Sequence, residues 1–283
     1  LIRVVPLDAG TAGRWFEVGR APEDPTAALS RLRGMLERPS PLHFRLLAHD
    51  DRGVAGRLGG YCTDHGRLAV WSVDYRDGPV PDVADALLDH VVQHAGQARW
   101  VEAQPAYDTA HLDAWRAALG RAGLVHVATA DVWRREAPAP ASEVWTVPSR
   151  EVPGALEALL AHSLTHTLDR ARADEPSSAA EFAAELRRIA GPDADGETWR
   201  VLSDEVGPVA YALGAGAHVL ELGVAPRARG RGLGRAVLTD LLSRLSTPVT
   251  SLIDRDNQPS VALHRKLGFS VVAGPFETWR RHL

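Results

Sequence analysis

Apolar residues recur along this chain with two spacings, every second residue and every third or fourth, and the order in which the two alternate occurs twice. In residues 144–283, VWTVPS has strand composition, while VPGALEALLAHSLTHTL and SAAEFAAELRRIAG carry helical spacing. Three strand-like runs follow, TWRVLSDE, VAYALGA and HVLELGV. GLGRAVLTDLLSRL then predicts an amphipathic helix, VTSLI a strand, SVALHRKLG a helix and FSVVAGPFETW a last strand-rich piece. Residues 1–136 run in nearly the same order. IRVVPLD precedes helical segments over 11–20 and 26–37, and HFRLLAHD, VAGRLGGYC and LAVWSVDY are strand-like. A helix over 82–94, the strand ARWVEAQ, the helix HLDAWRAALGRAG and the closing LVHVATADVWRR complete the first copy. Between the copies, APAPASE over 137–143 favours an extended linker. The repeat predicts two α/β (α+β) units, 1–136 and 144–283.

Composition agrees with two ordinary domains in 283 residues, of which 45% are hydrophobic and 24% charged. The net charge of −4 disfavours a nucleic-acid binder. A single cysteine, Cys62, excludes a disulfide framework and a cysteine-rich metal site. No apolar run approaches the roughly 20 residues of a membrane span, and LIRVVPLDAG is too short and polar for a signal peptide, so a cytoplasmic protein is expected. Arginine outnumbers lysine 31 to 1, which weakens any argument from arginine abundance alone.

The most specific stretch is APRARGRGLGR, Ala225 to Arg235. Val224-Ala225-Pro226 ends a predicted strand, and Arg229-Gly230-Arg231-Gly232-Leu233-Gly234 opens a helix. Glycines let a backbone approach a ligand closely, and unbonded N–H groups at a helix start form an anion site. The run lacks the GK[ST] of a P-loop, and Arg235 stands where a Rossmann fingerprint needs Gly or Ala.

V-x-P followed by R-x-x-G-x-G resembles the pyrophosphate loop of the GNAT superfamily of acyl-CoA N-acyltransferases. Asn257-x-x-Ser260-x-x-Leu263-His264-x-Lys266-Leu267-Gly268-Phe269 resembles the N-x-x-[AS]-x-x-[LF]-Y-x-x-x-G-F helix of the same superfamily. The resemblance covers about 143–283 by motif and the first half by organisation only. It implies two tandem GNAT-like domains, each a central mixed β-sheet flanked by helices, in a layout similar to that of mycothiol synthase. Aligned on Val73 and Val224, the positions of Arg229, Gly232 and Gly234 become Gly78, Pro81 and Val83, so the first half is expected to lack the phosphate loop.

The chemistry that the resemblance implies is attack of an amine on the thioester of acetyl-CoA, a co-substrate, with no metal. The CoA anchor would be Arg229, Gly230, Arg231, Gly232, Leu233, Gly234 and Arg235, with Asn257 and Ser260 on the later helix. Leu222, Gly223 and Val224 would pair with the pantetheine arm, and the Val224 N–H would face the thioester oxygen. His264 stands where members commonly carry a tyrosine acid; it would either donate an N–H to the sulfur or be a polar neighbour of CoA. Glu commonly lies six residues before the Val, where this chain has His218. Glu221 is the second candidate base, on the opposite strand face by simple alternation unless a bulge changes the parity. His162 and His166 have metal-ligand spacing with no third ligand, and are assigned to a polar helix face. Acceptor contacts are expected among Thr167, Asp169, Arg170, Glu175, Trp199, Tyr211, Asp254 and Arg255.

The function expected is an N-acetyltransferase with its active site in the C-terminal domain, a monomer or homodimer. Its partners would be acyl-CoA and an amine on a small molecule or protein, with no nucleic acid and no membrane. The alternative is a catalytically silent CoA-binding sensor or scaffold, since both expected catalytic side chains are replaced. RNA binding through Arg227–Arg235 is disfavoured by the acidic balance and the strand–loop–helix context.

Overall fold

The computed structural model describes residues 2–18, 22–37, 43–63, 66–70, 73–76, 81–96, 98–104, 112–140, 144, 146–152, 154–170, 178–191 and 196–283. Its elements follow the predicted order. The first half contributes β1 (Arg3–Pro6), α1 (Pro25–Glu37), β2 (His43–Asp50), β3 (Gly53–Cys62), β4 (Arg67–Val70), β5 (Asp74–Tyr75), α2 (Pro81–Gln93), β6 (Trp100–Ala103), α3 (Leu112–Arg121) and β7 (Val125–Arg135). The second contributes β8 (Val147–Pro148), α4 (Ala155–Thr165), α5 (Ala179–Ala190), β9 (Trp199–Asp204), β10 (Gly207–Ala215) and β11 (His218–Val224). It continues with α6 (Leu233–Leu242), β12 (Val249–Asp254), α7 (Gln258–Lys266) and β13 (Ser270–His282). Local chemistry sets several boundaries. Prolines open α1 and α2, where a missing N–H costs nothing. Ser178 and Glu181 cap α5 reciprocally.

The chain divides into one unit of Leu1–Val127 with Phe276–Leu283, and another of Ala128–Pro275. This grouping differs from the expected spans 1–136 and 144–283, since β7 pairs with β12 of the second half and β13 with β6 of the first. In the first unit the sheet order is β1-β2-β3-β4-β6, ending on residues 279–282 of β13. In the second, residues 130–135 of β7 pair antiparallel with β12, in the order β7-β12-β11-β10-β9-β8. The two closing strands are similar amphipathic runs, so their pattern does not say which sheet each joins. Side chains do. Arg280 lies opposite Glu102 in the ladder, and its guanidinium donates to that carboxylate at 2.8 Å, both nearly fully buried. Arg116 on α3 grips the buried Glu277 carboxylate, which also accepts the Trp279 indole N–H at 2.9 Å. In the second unit, Arg255 and Asp131 of β7 form a paired contact at 2.7 and 2.8 Å.

Each unit packs helices on both faces of its sheet. In the second unit, α6 and α7 cover a sheet face that includes Ala212, Val219 and Ile253, with Val237 and Leu238 of α6 packed in the same cluster. The opposite face, with Leu156, Phe182, Trp199, Tyr211 and Leu213, lies under α4 and α5. Arg200, nearly fully buried, donates to Thr146 Oγ1 at 2.8 Å and to Asp240 of α6 at 3.2 Å, tying α6 to β9. Among the described residues, no helix is long and apolar enough to cross a membrane.

Deleting Phe276–Leu283 is expected to speed amide exchange at Trp100–Ala103 while leaving Val249–Asp254 protected, measured by hydrogen–deuterium exchange. A loss confined to Val249–Asp254 would instead restore the 144–283 boundary.

Candidate active site

The site is built on an interrupted strand pair. β11 and β12 run parallel, yet their register consists only of His218 with Thr250 and Val219 with Ser251. β11 continues to Val224 and β12 to Asp254, so the strands part beyond those two pairs. Against β10 the register of β11 slips at Leu213/Gly214, which face Glu221 and Val219, leaving Leu220 as the extra residue of a bulge. The bulge changes the side-chain parity. Val219 packs with the α6 face, while Glu221 lies opposite Leu213 of the α4–α5 face. His218 bonds Thr250 Oγ1 through Nδ1 and points to the same side. His218 and Glu221 therefore share one face, contrary to simple alternation; His218 is exposed and Glu221 half-buried.

Backbone polarity makes the gap useful. Ala225 donates its N–H to Val209 of β10 at 2.8 Å, so alternation along the strand turns the Val224 N–H to the opposite edge, toward the gap. Gly223 lacks a side chain because Tyr211 lies over it: a Cβ there would sit 2.3 Å from the Tyr211 ring.

The loop after β11 begins with a 3₁₀ turn, Pro226–Ala228, and reaches α6 through Gly230 at φ 77° and Gly232 at φ 78°. Both φ values are ones that glycine takes without steric cost, and open space surrounds both positions. Gly234 is tight for another reason, since a Cβ would lie 3.3 Å from Val224 Cγ2. The first backbone bond of α6 runs from Ala236 N–H to Gly232 O at 3.1 Å. Among the described residues, the amides from Gly230 to Arg235 make no hydrogen bond within the protein, which leaves an anion site at a helix N-terminus.

The arginines divide by task. Arg227 chelates Asp204 at 2.9 and 3.1 Å and Arg231 leans on the same carboxylate at 3.5 Å. Arg229 donates to Val224 O at 3.3 Å and to His166 O at 2.9 Å, bracing the loop against the end of α4. Arg235 is exposed on the first turn of α6 and makes no such contact among the described residues. Asp204, which no sequence motif singles out, therefore anchors the loop. Its carboxyl is held down at about 2, chiefly by the Arg227 hydrogen bonds.

The motif residues of α7 also shape the helix itself. Asn257 is the N-cap, its Oδ1 accepting the Ser260 N–H at 3.2 Å. His264 is 2% exposed and meets Phe269 edge-on at 5.0 Å. Its Nδ1 lies 2.9 Å from Ser260 O. A carbonyl only accepts, so Nδ1 carries the proton and neutral Nε2 presents a lone pair. Burial pushes the imidazole pKa down, against the Ser260 bond that raises it. Nε2 is buried without a hydrogen-bond partner among the described residues. In this tautomer the one ring proton goes to Ser260 O.

Of the expected acceptor residues, Trp199 and Tyr211 are core side chains, 0% and 1% exposed. Asp254 is buried and accepts the Arg170 and Asp256 N–H groups at 2.8 and 2.9 Å. Thr167 Oγ1 accepts the Asp169 N–H at 3.0 Å. Arg255 is held by Asp131, and Glu175 lies outside the described residues. The first unit differs at each equivalent point. β4 stays paired with β6 over all of Arg67–Val70, where the aligned His218–Glu221 opens after two residues. Arg67, aligned with His218, is buried and donates to the Tyr61 hydroxyl at 2.9 Å. Pro81 and Val83, in the glycine positions, open α2, and Val83 is fully buried.

Comparison with known proteins agrees with this geometry. Residues 167–269, within the second unit, match the model of the acetyltransferase (GNAT) family. Peptidyl-lysine N-acetyltransferase YjaB of Salmonella typhimurium (strain LT2) is 30% identical over 73 residues, 26% of this chain and 50% of that protein. The protein of the same name from Escherichia coli (strain K12) is also 30% identical over 73 residues, 49% of its length. The chain thus spans about half the length of the curated relatives it matches. In fold, a GCN5-related N-acetyltransferase from Sphaerobacter thermophilus is similar with TM-score 0.63 at 17% identity, covering 99% of this chain and 95% of that one. A tandem GNAT protein from the clavulanic acid biosynthesis pathway is similar with TM-score 0.53 at 16% identity, covering 100% and 98%.

The Asp204 carboxyl, lowered from 3.8 to about 2 in the folded chain, contributes stability above pH about 4 that is lost as the pH falls through about 2. Arg227→Ala is expected to return its titration midpoint toward 3.8, followed by carboxyl carbon NMR.

Proposed function

We propose that the protein is an acetyl-CoA-dependent N-acetyltransferase whose working site is the β11–β12 gap of the second unit. The observation that carries this reading is the coincidence of three backbone features: the parted strands, the Val224 N–H facing the gap, and the unbonded amides of Gly230–Arg235. Together they suit a long thiol ester with a pyrophosphate at one end. The loop amides and Arg235 would hold the pyrophosphate, and the edge of Leu222–Val224 would pair with the pantetheine amides.

The amine nitrogen bonds to the thioester carbon, and the Val224 N–H stabilises the oxyanion that forms. His218 takes a proton from the new ammonium, directly or through water, with Thr250 fixing its ring. The oxyanion collapses, the C–S bond breaks, and the thiolate of CoA leaves with the electron pair. A thiol is a good enough leaving group at its pKa of about 8.5 to depart without a strong acid. His264 then donates its Nδ1–H to Ser260 O and is not the donor to sulfur. This division of roles also supports turnover over silent CoA binding, because the base position remains exposed and supported.

Titration calorimetry with acetyl-CoA is expected to give one site per chain. Gly232→Val, which forces a β-branched residue to φ 78°, is expected to weaken it about tenfold. No heat in the wild type overturns the CoA reading altogether. In a thiol-release assay over a panel of amines, His218→Ala is expected to lower kcat by about 10²-fold or more with unchanged acetyl-CoA affinity. His264→Phe is expected to leave kcat far less affected. Tight binding with no turnover on any amine would favour the sensor.

A further inference from the structure

The face that carries His218 is floored by an exposed leucine. β12 is an interior strand, and Val249, Ser251 and Ile253 are all buried on its α6–α7 side. On the other side, Thr250 bonds His218, Asp254 is buried, and Leu252 between them is 56% exposed. An interior strand normally covers such a residue. Leu252 lies about 7 Å along the strand from Thr250, one side-chain repeat from the group that fixes His218. A second exposed leucine, Leu168 at 52%, belongs to the segment pinned to the end of β12 by the Arg170 N–H on Asp254 and by Arg170 with Asp256 at 3.1 Å.

The charges around this floor are already engaged. Asp254 accepts two backbone N–H groups, Asp256 pairs with Arg170, and Arg134, beside Thr250 in the ladder, pairs with Glu136 at 2.7 Å. Glu221 lies at the bulge on the same side as His218. Among the described residues, the floor therefore matches an apolar body carrying a single amine. It offers little to several cationic groups or to a ring of hydroxyls.

We infer that the acceptor is a small primary monoamine with a branched aliphatic or aromatic body seated on Leu252 and Leu168. This rests on the acyl-transfer reading of the same gap and names its acceptor class. Exposed leucines are costly to leave in water and gain by being covered, whereas a hydroxyl-rich or polycationic amine covers them without gain. Acetylation of such an amine removes its charge, so the product leaves as a neutral amide.

Binding without turnover tests this. The whole chain is saturated with CoA, the product lacking an acetyl group, and titrated with phenethylamine, glucosamine and spermidine. Phenethylamine is expected to bind at least about tenfold more tightly than the other two. Leu252→Asn is expected to remove most of that advantage, with CoA affinity and thermal midpoint unchanged, and Leu168→Asn to remove part of it. A chain that takes no CoA refutes the acyl-transfer reading and this one with it. A chain that takes CoA but binds glucosamine or spermidine as tightly as phenethylamine refutes the apolar acceptor alone. So does a Leu252→Asn chain that keeps the wild-type preference.

Discussion

The candidate site of the second unit depends on hydrogen bonds that β11 withholds from β12. Two parallel strands in the interior of a sheet normally satisfy one another along their length. Here they hold together for two residue pairs and then separate, leaving the edge of β11 facing a gap. An unsatisfied backbone edge inside a domain is costly unless water or a ligand completes it. The first unit shows the alternative outcome for the same fold, a closed ladder with a buried arginine at the position of His218. Separation of the strands, more than any single side chain, distinguishes the two copies.

The supporting architecture keeps the gap in place. Buried Arg200 ties α6 to β9, and Arg227 ties the loop that precedes α6 to Asp204 at the far end of β9. Both contacts fix the helix whose N-terminus would meet the pyrophosphate. Arg229 does the same from the other side, against the carbonyl of His166 that ends α4. Most of the arginines in the glycine-rich run are thus occupied in holding the loop's shape. The backbone amides they hold in place remain available.

Much of this was legible in the sequence. The repeat, the order of elements, the glycines of the loop and the α7 motif are all local patterns. What escaped were properties that depend on pairing. A bulge at Leu220 cannot be seen in HVLELGV, yet it decides that His218 and Glu221 share a face. Trp199 and Tyr211 look like binding residues by type and position but are core. The tautomer of His264 depends on a carbonyl one helical turn away, which a motif match does not reveal. Leu252 is inconspicuous because VTSLI reads as any buried strand, and only its 56% exposure makes it unusual. The exchange of closing strands was invisible because both strands carry similar patterns, with Glu102 and Arg280 separated by 178 residues.

That separation bears on how the protein is made. At ribosomal speeds of about 5–20 residues per second, the partner of Glu102 emerges about 10–35 seconds after Glu102 itself. During that interval the first unit has a sheet edge without its closing strand, next to a carboxylate without Arg280. β7, already synthesised, is the nearest strand of similar pattern. In this grouping β7 is made before the sheet that it joins, and the strand that pairs with β6 is the last to be made.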